Sequence, residues 1–167
     1  MSITKIGSLG LGTGVGGKVL QVVSTTKSDD FSSSAINAFT DITGLSVSIT
    51  PSSASNKILI IASVQGVNTT SNAYFRLVRG ATAIGVGDTS SSKSRVSSSN
   101  IYLNGSNFMN GSSFNFFDSP STTSSTTYKI QFITDVATTF INRTSGDVDA
   151  LYTGRSQSTI TAIEIAV

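Results

Sequence analysis

The sequence contains no cysteine, no histidine and no tryptophan, and only two prolines among 167 residues. Without cysteine there is no disulfide, no thiolate metal site and no cysteine nucleophile. Without histidine, the commonest general base and the commonest zinc ligand are missing. No cofactor is expected. Charge is scarce as well: Lys, Arg, Asp and Glu make up 12% of the chain, and 11 basic against 9 acidic residues leave a net charge of +2. The densest basic spot, Lys93 and Arg95 among serines, is too sparse to neutralise a phosphate backbone, so nucleic acid is not an expected partner. Nor is there an apolar run of the ~20 residues that a membrane-spanning helix needs, or a signal-peptide pattern at the start. Membrane insertion is not expected.

What fills the chain instead is serine and threonine, together nearly a third of it. Such a surface suits exposed β-sheet. With 38% hydrophobic residues and a mean hydropathy of +0.15, the chain can bury one sizeable core, which predicts one domain plus a short appendage. The appendage is residues 1–17, MSITKIGSLGLGTGVGG. Glycine at this density disfavours a helix and leaves little surface to bury, so the segment reads as an extended arm ordered by a neighbour. Its candidate anchoring side chains are Ile3, Ile6, Leu9, Leu11 and Val15.

From Lys18 to Val167 the pattern is that of short strands. KVLQVVST offers a first strand, and GLSVSITP places Leu45, Val47 and Ile49 on one face with Ser46 and Ser48 on the other. Pro51 closes that strand. KILIIASVQGV is almost continuously apolar and suits a central strand packed on both sides. AYFRLVRG and ATAIGVGD read as a hairpin, and 88–100 as a polar loop. IYLNGSNFMNG and SSFNFFDSP read as aromatic-bearing strands. YKIQFIT alternates most clearly, with TTFINRT as its expected neighbour, and STITAIEIAV sets Ile163 and Ile165 opposite Ala162 and Glu164. With no 3.6-residue period and no fixed repeat, the fold class is all-β, a sandwich or closed barrel.

Several motifs invite a chemical reading. Gly12, Gly14 and Gly17 satisfy G-x-G-x-x-G, and Lys18 completes most of a phosphate-binding loop. The context opposes it: Val19 stands where Ser or Thr would hold magnesium, and a strand follows instead of a helix. Ser90 and Lys93 match Ser-x-x-Lys only within a polar loop. Asp29 with Asp30, and Asp147 with Asp149, could serve glycoside hydrolysis or calcium, but read better as turn residues. The glycosylation sequons at Asn68, Asn104, Asn110 and Asn142 are what chance gives in so Ser- and Thr-rich a chain. Tyr74, Phe75, Phe114, Phe116, Phe117, Tyr128 and Phe132 fall in strand patterns and read as core or subunit-contact residues. Tyr102, Phe108 and Tyr152 lie among Asn, Gly and Ser, the setting in which an exposed ring grips sugars or flat polar epitopes. With Asn104, Asn107 and Arg143 they form the candidate binding set.

The segments GKVLQVVSTTKSDDF, FTDITGLSVSITPSSASNKILIIASV, AYFRLVRGATAIGVGD, FNFFDSPSTTSSTTYKIQFIT, INRTSGD and ITAIEIA, in that order, resemble a C-terminal module of bacteriophage tail fibres and other virion proteins. The likeness spans about residues 17–167. It implies a homotrimeric jelly-roll β-sandwich similar to the tumour-necrosis-factor and complement C1q head domains. It also implies a virion location, with the arm joined to other phage proteins and the head facing a host surface glycan or protein. Fibres of this kind often carry a long shaft before the module; here only the glycine-rich arm precedes it. Three readings follow: a non-enzymatic host-attachment tip, a capsid decoration or head-fibre protein, and, more remotely, an enzymatic tailspike.

Overall fold

The computed structural model describes residues 17–98 and 101–167. The arm residues Ile3, Ile6, Leu9, Leu11 and Val15 lie outside the described residues. Among the described residues, period-two alternation of apolar and hydroxyl side chains produces ten strands and no helix. They are β1 (Val19–Lys27), β2 (Phe31–Ser33), β3 (Thr40–Ile49), β4 (Lys57–Val67), β5 (Ala73–Arg79), β6 (Thr82–Ile84), β7 (Asn110–Asp118), β8 (Thr126–Thr134), β9 (Thr139–Ile141) and β10 (Ser158–Ile165).

Two antiparallel sheets result. The first runs β1-β10-β4, with β7 on the far side of β4; the last two residues of β4 pair with β9, which carries β2. The second runs β3-β8-β5-β6. Between them lies one core. Ile58, Ile60, Ala62, Val64, Ile160 and Ala162 from the first sheet meet Leu45, Val47, Ile49, Phe75, Leu77, Tyr128, Ile130 and Phe132 from the second. Sequestering these side chains between the layers is the main driving force for the fold. At Gly66, where β4 meets β9, a Cβ would stand 2.5 Å from the Phe140 carbonyl, so only glycine lets the two backbones approach.

The structure corrects three expectations. IYLNGSNFMNG is not a strand: its turn-forming Asn, Gly and Ser residues make a loop, tied to the scaffold by a parallel bridge between Tyr102 and Asn68. TTFINRT does not flank YKIQFIT, because the chain crosses to the first sheet after β8, through Ala137 at φ 64, and β9 pairs with β2 and β4. The central strand β4 is hydrogen-bonded on both edges, yet only one face is covered within the chain; Ile61 on the other is 45% exposed. Of the aromatics read as core or subunit contacts, Phe75, Tyr128 and Phe132 are buried, Phe114 and Phe116 pack at its margin, and Tyr74 and Phe117 point outward.

The face of β10 that turns inward carries the charge. Glu164 is fully buried, and Asn56 Nδ2 (2.6 Å), Gln21 Nε2 (2.6 Å), and the Ser52 amide (2.7 Å) and hydroxyl (2.8 Å) all donate to it. Burial pushes its pKa up, but these four donors outweigh it and hold the carboxyl at about 2. A second buried carboxylate, Asp118, accepts from the Tyr128 hydroxyl at 2.7 Å and pairs with Arg79 at 2.9 Å. Burial, then the bond to Asp118, raise the Tyr128 pKa.

The outer face of the first sheet has two halves. Val22, Ile163, Leu59 and Phe117 are successive partners across β1, β10, β4 and β7, forming one apolar rung; Leu20, Ile61 and Ile165 lie beside it. Further along come Ser24, Thr161, Ser63 and Ser113, linked as Ser24–Thr161 (2.8 Å) and Ser113–Ser63 (3.2 Å). The outer face of the second sheet is mixed, with Tyr74 and Ile133 at the loop-bearing end and a polar stretch beside them. There Asp41, Gln131 and Arg76 share a rung, with Gln131 bonded to both neighbours and Arg76 lying 3.4 Å from the Phe39 ring centroid.

Candidate functional site

Strand direction sorts the connections onto two ends. At one end are the short turns 50–56, 80–81 and 119–125, together with Gly17 and the last residues, where the Ala166 amide donates to the Lys18 carbonyl at 2.9 Å. At the other end are the connections 28–30, 34–39, 68–72, 101–109, 135–138 and 142–157. The nine residues of β1 separate the two by roughly 30 Å. All six candidate binding residues, Tyr102, Asn104, Asn107, Phe108, Arg143 and Tyr152, fall at the second, loop-bearing pole.

Two buried asparagines hold that pole together. Asn68 donates to Thr134 Oγ1 (3.2 Å), the Val136 carbonyl (3.1 Å) and Thr139 Oγ1 (3.3 Å), while its side-chain oxygen accepts from the amides of Thr70 (3.0 Å) and Ser71 (2.9 Å). Asn142, in the left-handed region at φ 62, donates to the carbonyls of Lys27 (2.8 Å) and Asp29 (2.9 Å) and accepts from Ser158 (2.6 Å). Both are fully buried, so neither sequon is open to a glycan in the folded chain. Sequence spacing gave no sign of this role. An amide that is a good turn former and one that bridges three loops look alike in a linear sequence.

The 101–109 and 142–157 loops touch each other: the Gly146 amide donates to the Ser106 carbonyl at 2.8 Å, and Ser145 Oγ to the same oxygen at 3.3 Å. This contact brings Asn107 and Phe108 beside the segment that carries Tyr152. Phe108 and Tyr152 are 59% and 66% exposed, and Leu151, which sequence reading passed over, is fully exposed. Arg143 behaves differently. Its guanidinium lies 4.5 Å from the Phe140 centroid and pairs with Asp30 (3.1 Å) and Asp147 (3.3 Å). Arg155 pairs with the same two acids, at 3.3 and 2.8 Å, closing a ring of alternating charge. Arg143 therefore fastens the loops, and Arg155 is the more exposed cation of the ring.

Asp29 and Asp30, read from sequence as turn residues, are both ion-paired: Asp29 binds buried Lys27 at 2.6 Å, which lowers its pKa, and Asp30 joins the ring. Ser90 and Lys93 are two ends of one backbone turn, with the Lys93 amide on the Ser90 carbonyl at 3.1 Å. Ser97 and Ser98 have a structural task. Their hydroxyls accept the Leu77 (3.0 Å) and Phe75 (3.2 Å) amides, so the polar loop covers an otherwise open edge of β5.

No protein-family model and no curated protein matches the chain. Among solved structures, one chain of infectious bursal disease virus, Gx strain, is similar over 89% of this chain and 38% of its own length, at 16% identity and a TM-score of 0.43. This protein thus spans well under half of that neighbour.

Proposed function

We propose that the chain is a non-enzymatic structural protein of a bacteriophage virion, a homotrimeric jelly-roll head that attaches to a host surface and is fixed to the particle by its glycine-rich arm. The observation that carries this reading is polarity. The arm joins at the turn-bearing pole, and the exposed Phe108, Leu151 and Tyr152 sit at the opposite one, on loops braced by Asn68 and Asn142. That is the arrangement a rigid attachment head requires.

The strand orders support a jelly roll, since β1-β10-β4-β7 faces β3-β8-β5-β6, the interleaving produced by two Greek keys. Self-association is supported by the rung Val22, Ile163, Leu59 and Phe117, a contiguous apolar strip on a surface otherwise built of hydroxyls. The number three rests on the resemblance alone. Binding without catalysis fits three acids of the loop pole, Asp29, Asp30 and Asp147, which are engaged by Lys27, Arg143 and Arg155.

A second reading, a capsid decoration or head-fibre protein, is favoured by the same apolar strip, because strip and arm share one half of the molecule and could bind capsomers together. Copy number separates the two. Hundreds of copies per particle would exclude attachment as the main role, whereas six to a few dozen would exclude decoration. Host-cell adhesion by the purified protein, and its ability to block infection, test the attachment reading directly.

A further inference from the structure

We propose that a small pocket on the outer face of the second sheet, at the loop-bearing pole, binds one neutral sugar ring of a surface glycan. The inference rests on the attachment reading above, and it places the contact away from the exposed rings of the 101–109 and 142–157 loops. The cavity measures about 170 Å³. Its floor is Tyr74 and Ile133, direct partners across β5 and β8, both half-buried on the outward face. Its rim is Asn37, Asn72, Ser94 and Asp135, drawn from four different segments.

This combination selects a ligand class. An aromatic ring and an aliphatic side chain beside amide, hydroxyl and carboxylate groups match a pyranose, which has a C–H face and a periphery of hydroxyls that both donate and accept. Among the described residues, the one charged side chain in the lining is an acid, Asp135. The nearby cation Arg76 is held by Gln131 at 2.8 Å and stacked on Phe39. An anionic sugar or phosphate would therefore meet the Asp135 carboxylate, whereas neutral hydroxyls would find an acceptor. Size narrows the class further. Sites for drug-sized ligands enclose about 300–1,000 Å³, so this one accommodates a single ring, with the rest of the glycan in solvent.

The rim is set before a ligand arrives. Asn37 is held in the left-handed region, φ 55, by its amide on the Thr134 carbonyl at 2.7 Å, and Asp135 accepts the Ser71 hydroxyl. Thr134 is itself fixed through Asn68. One-ring affinity is weak, and several copies on one particle would multiply it.

The test is a glycan array carrying terminal glucose, galactose, mannose, N-acetylglucosamine and N-acetylgalactosamine beside sialylated and phosphorylated glycans, probed with the full chain. Neutral glycans should bind, and Tyr74→Ala and Asp135→Asn should each weaken binding by about tenfold or more, while Thr123→Ala, in the exposed 119–125 turn at the opposite pole, leaves it unchanged. Asp135→Asn alters one exposed group and keeps the test open should Tyr74→Ala fail to fold. Binding that survives both pocket variants but is lost in Tyr152→Ala or Phe108→Ala would overturn the pocket and leave the attachment reading intact. So would adhesion to host cells with no neutral glycan bound, or a preference for the anionic glycans. Loss of host-cell adhesion by the unaltered protein bears on the attachment reading alone.

Discussion

Ser158 Oγ donates to Asn142 Oδ1 at 2.6 Å, and the same hydroxyl accepts the Gln65 amide at 3.0 Å. One buried amide thereby connects the start of β10, the centre of the first sheet and the turn after β1. Asn142→Ala leaves the Lys27 and Asp29 carbonyls and the Ser158 hydroxyl without that partner. It should cost about 2–4 kcal/mol in urea denaturation, with the largest gain in hydrogen exchange over 142–157. A loss below about 1 kcal/mol would show that the loop stands without this anchor.

Glu164 contributes to the acid response. Its folded pKa is about 2 against an ordinary 4.5, so its contribution is complete above pH 4.5 and is lost as the pH falls towards 2. Thermal unfolding should show Tm falling through this window in the wild type and much less in Glu164→Gln. Parallel curves would remove Glu164 from the account.

The rung on the first sheet predicts separable assembly and folding. Val22 and Ile61 are 59% and 45% exposed, so Val22→Glu and Ile61→Glu should change single-chain stability by less than about 1 kcal/mol yet dissociate the proposed trimer in light-scattering chromatography. Unchanged mass would place the subunit contact elsewhere.

The ion ring is mostly geometric in effect. Arg143→Ala removes packing on Phe140 as well as two ion pairs and should cost about 1–3 kcal/mol. Arg155→Ala, more exposed, should cost under about 1 kcal/mol, decreasing with added salt. Equal losses for the two would contradict the division between fastener and exposed cation.

Alternation made the scaffold legible. Leu45, Val47 and Ile49 are buried and Ser46 and Ser48 exposed, as period two predicts, and the β5–β6 hairpin falls where Arg79 and Gly80 placed it. What alternation could not give was which face of an ambiguous strand turns inward. In β10 the face with Glu164 is buried because Asn56, Gln21 and Ser52 converge on it, a fact of tertiary assembly. The loop residues Tyr102, Phe108 and Tyr152 were legible as rings in polar settings. The pocket was not, since Asn37, Tyr74, Ser94 and Asp135 are distant in sequence and meet only when the second sheet forms.

The most direct test of the central claim is electron cryomicroscopy of intact virions with this chain located on the particle. The account predicts six to a few dozen copies, grouped in threes about the apolar rung, with Gly17 towards the particle and the 101–109 and 142–157 loops pointing outward. Hundreds of copies on capsid faces, or those loops buried against another virion protein, would contradict it.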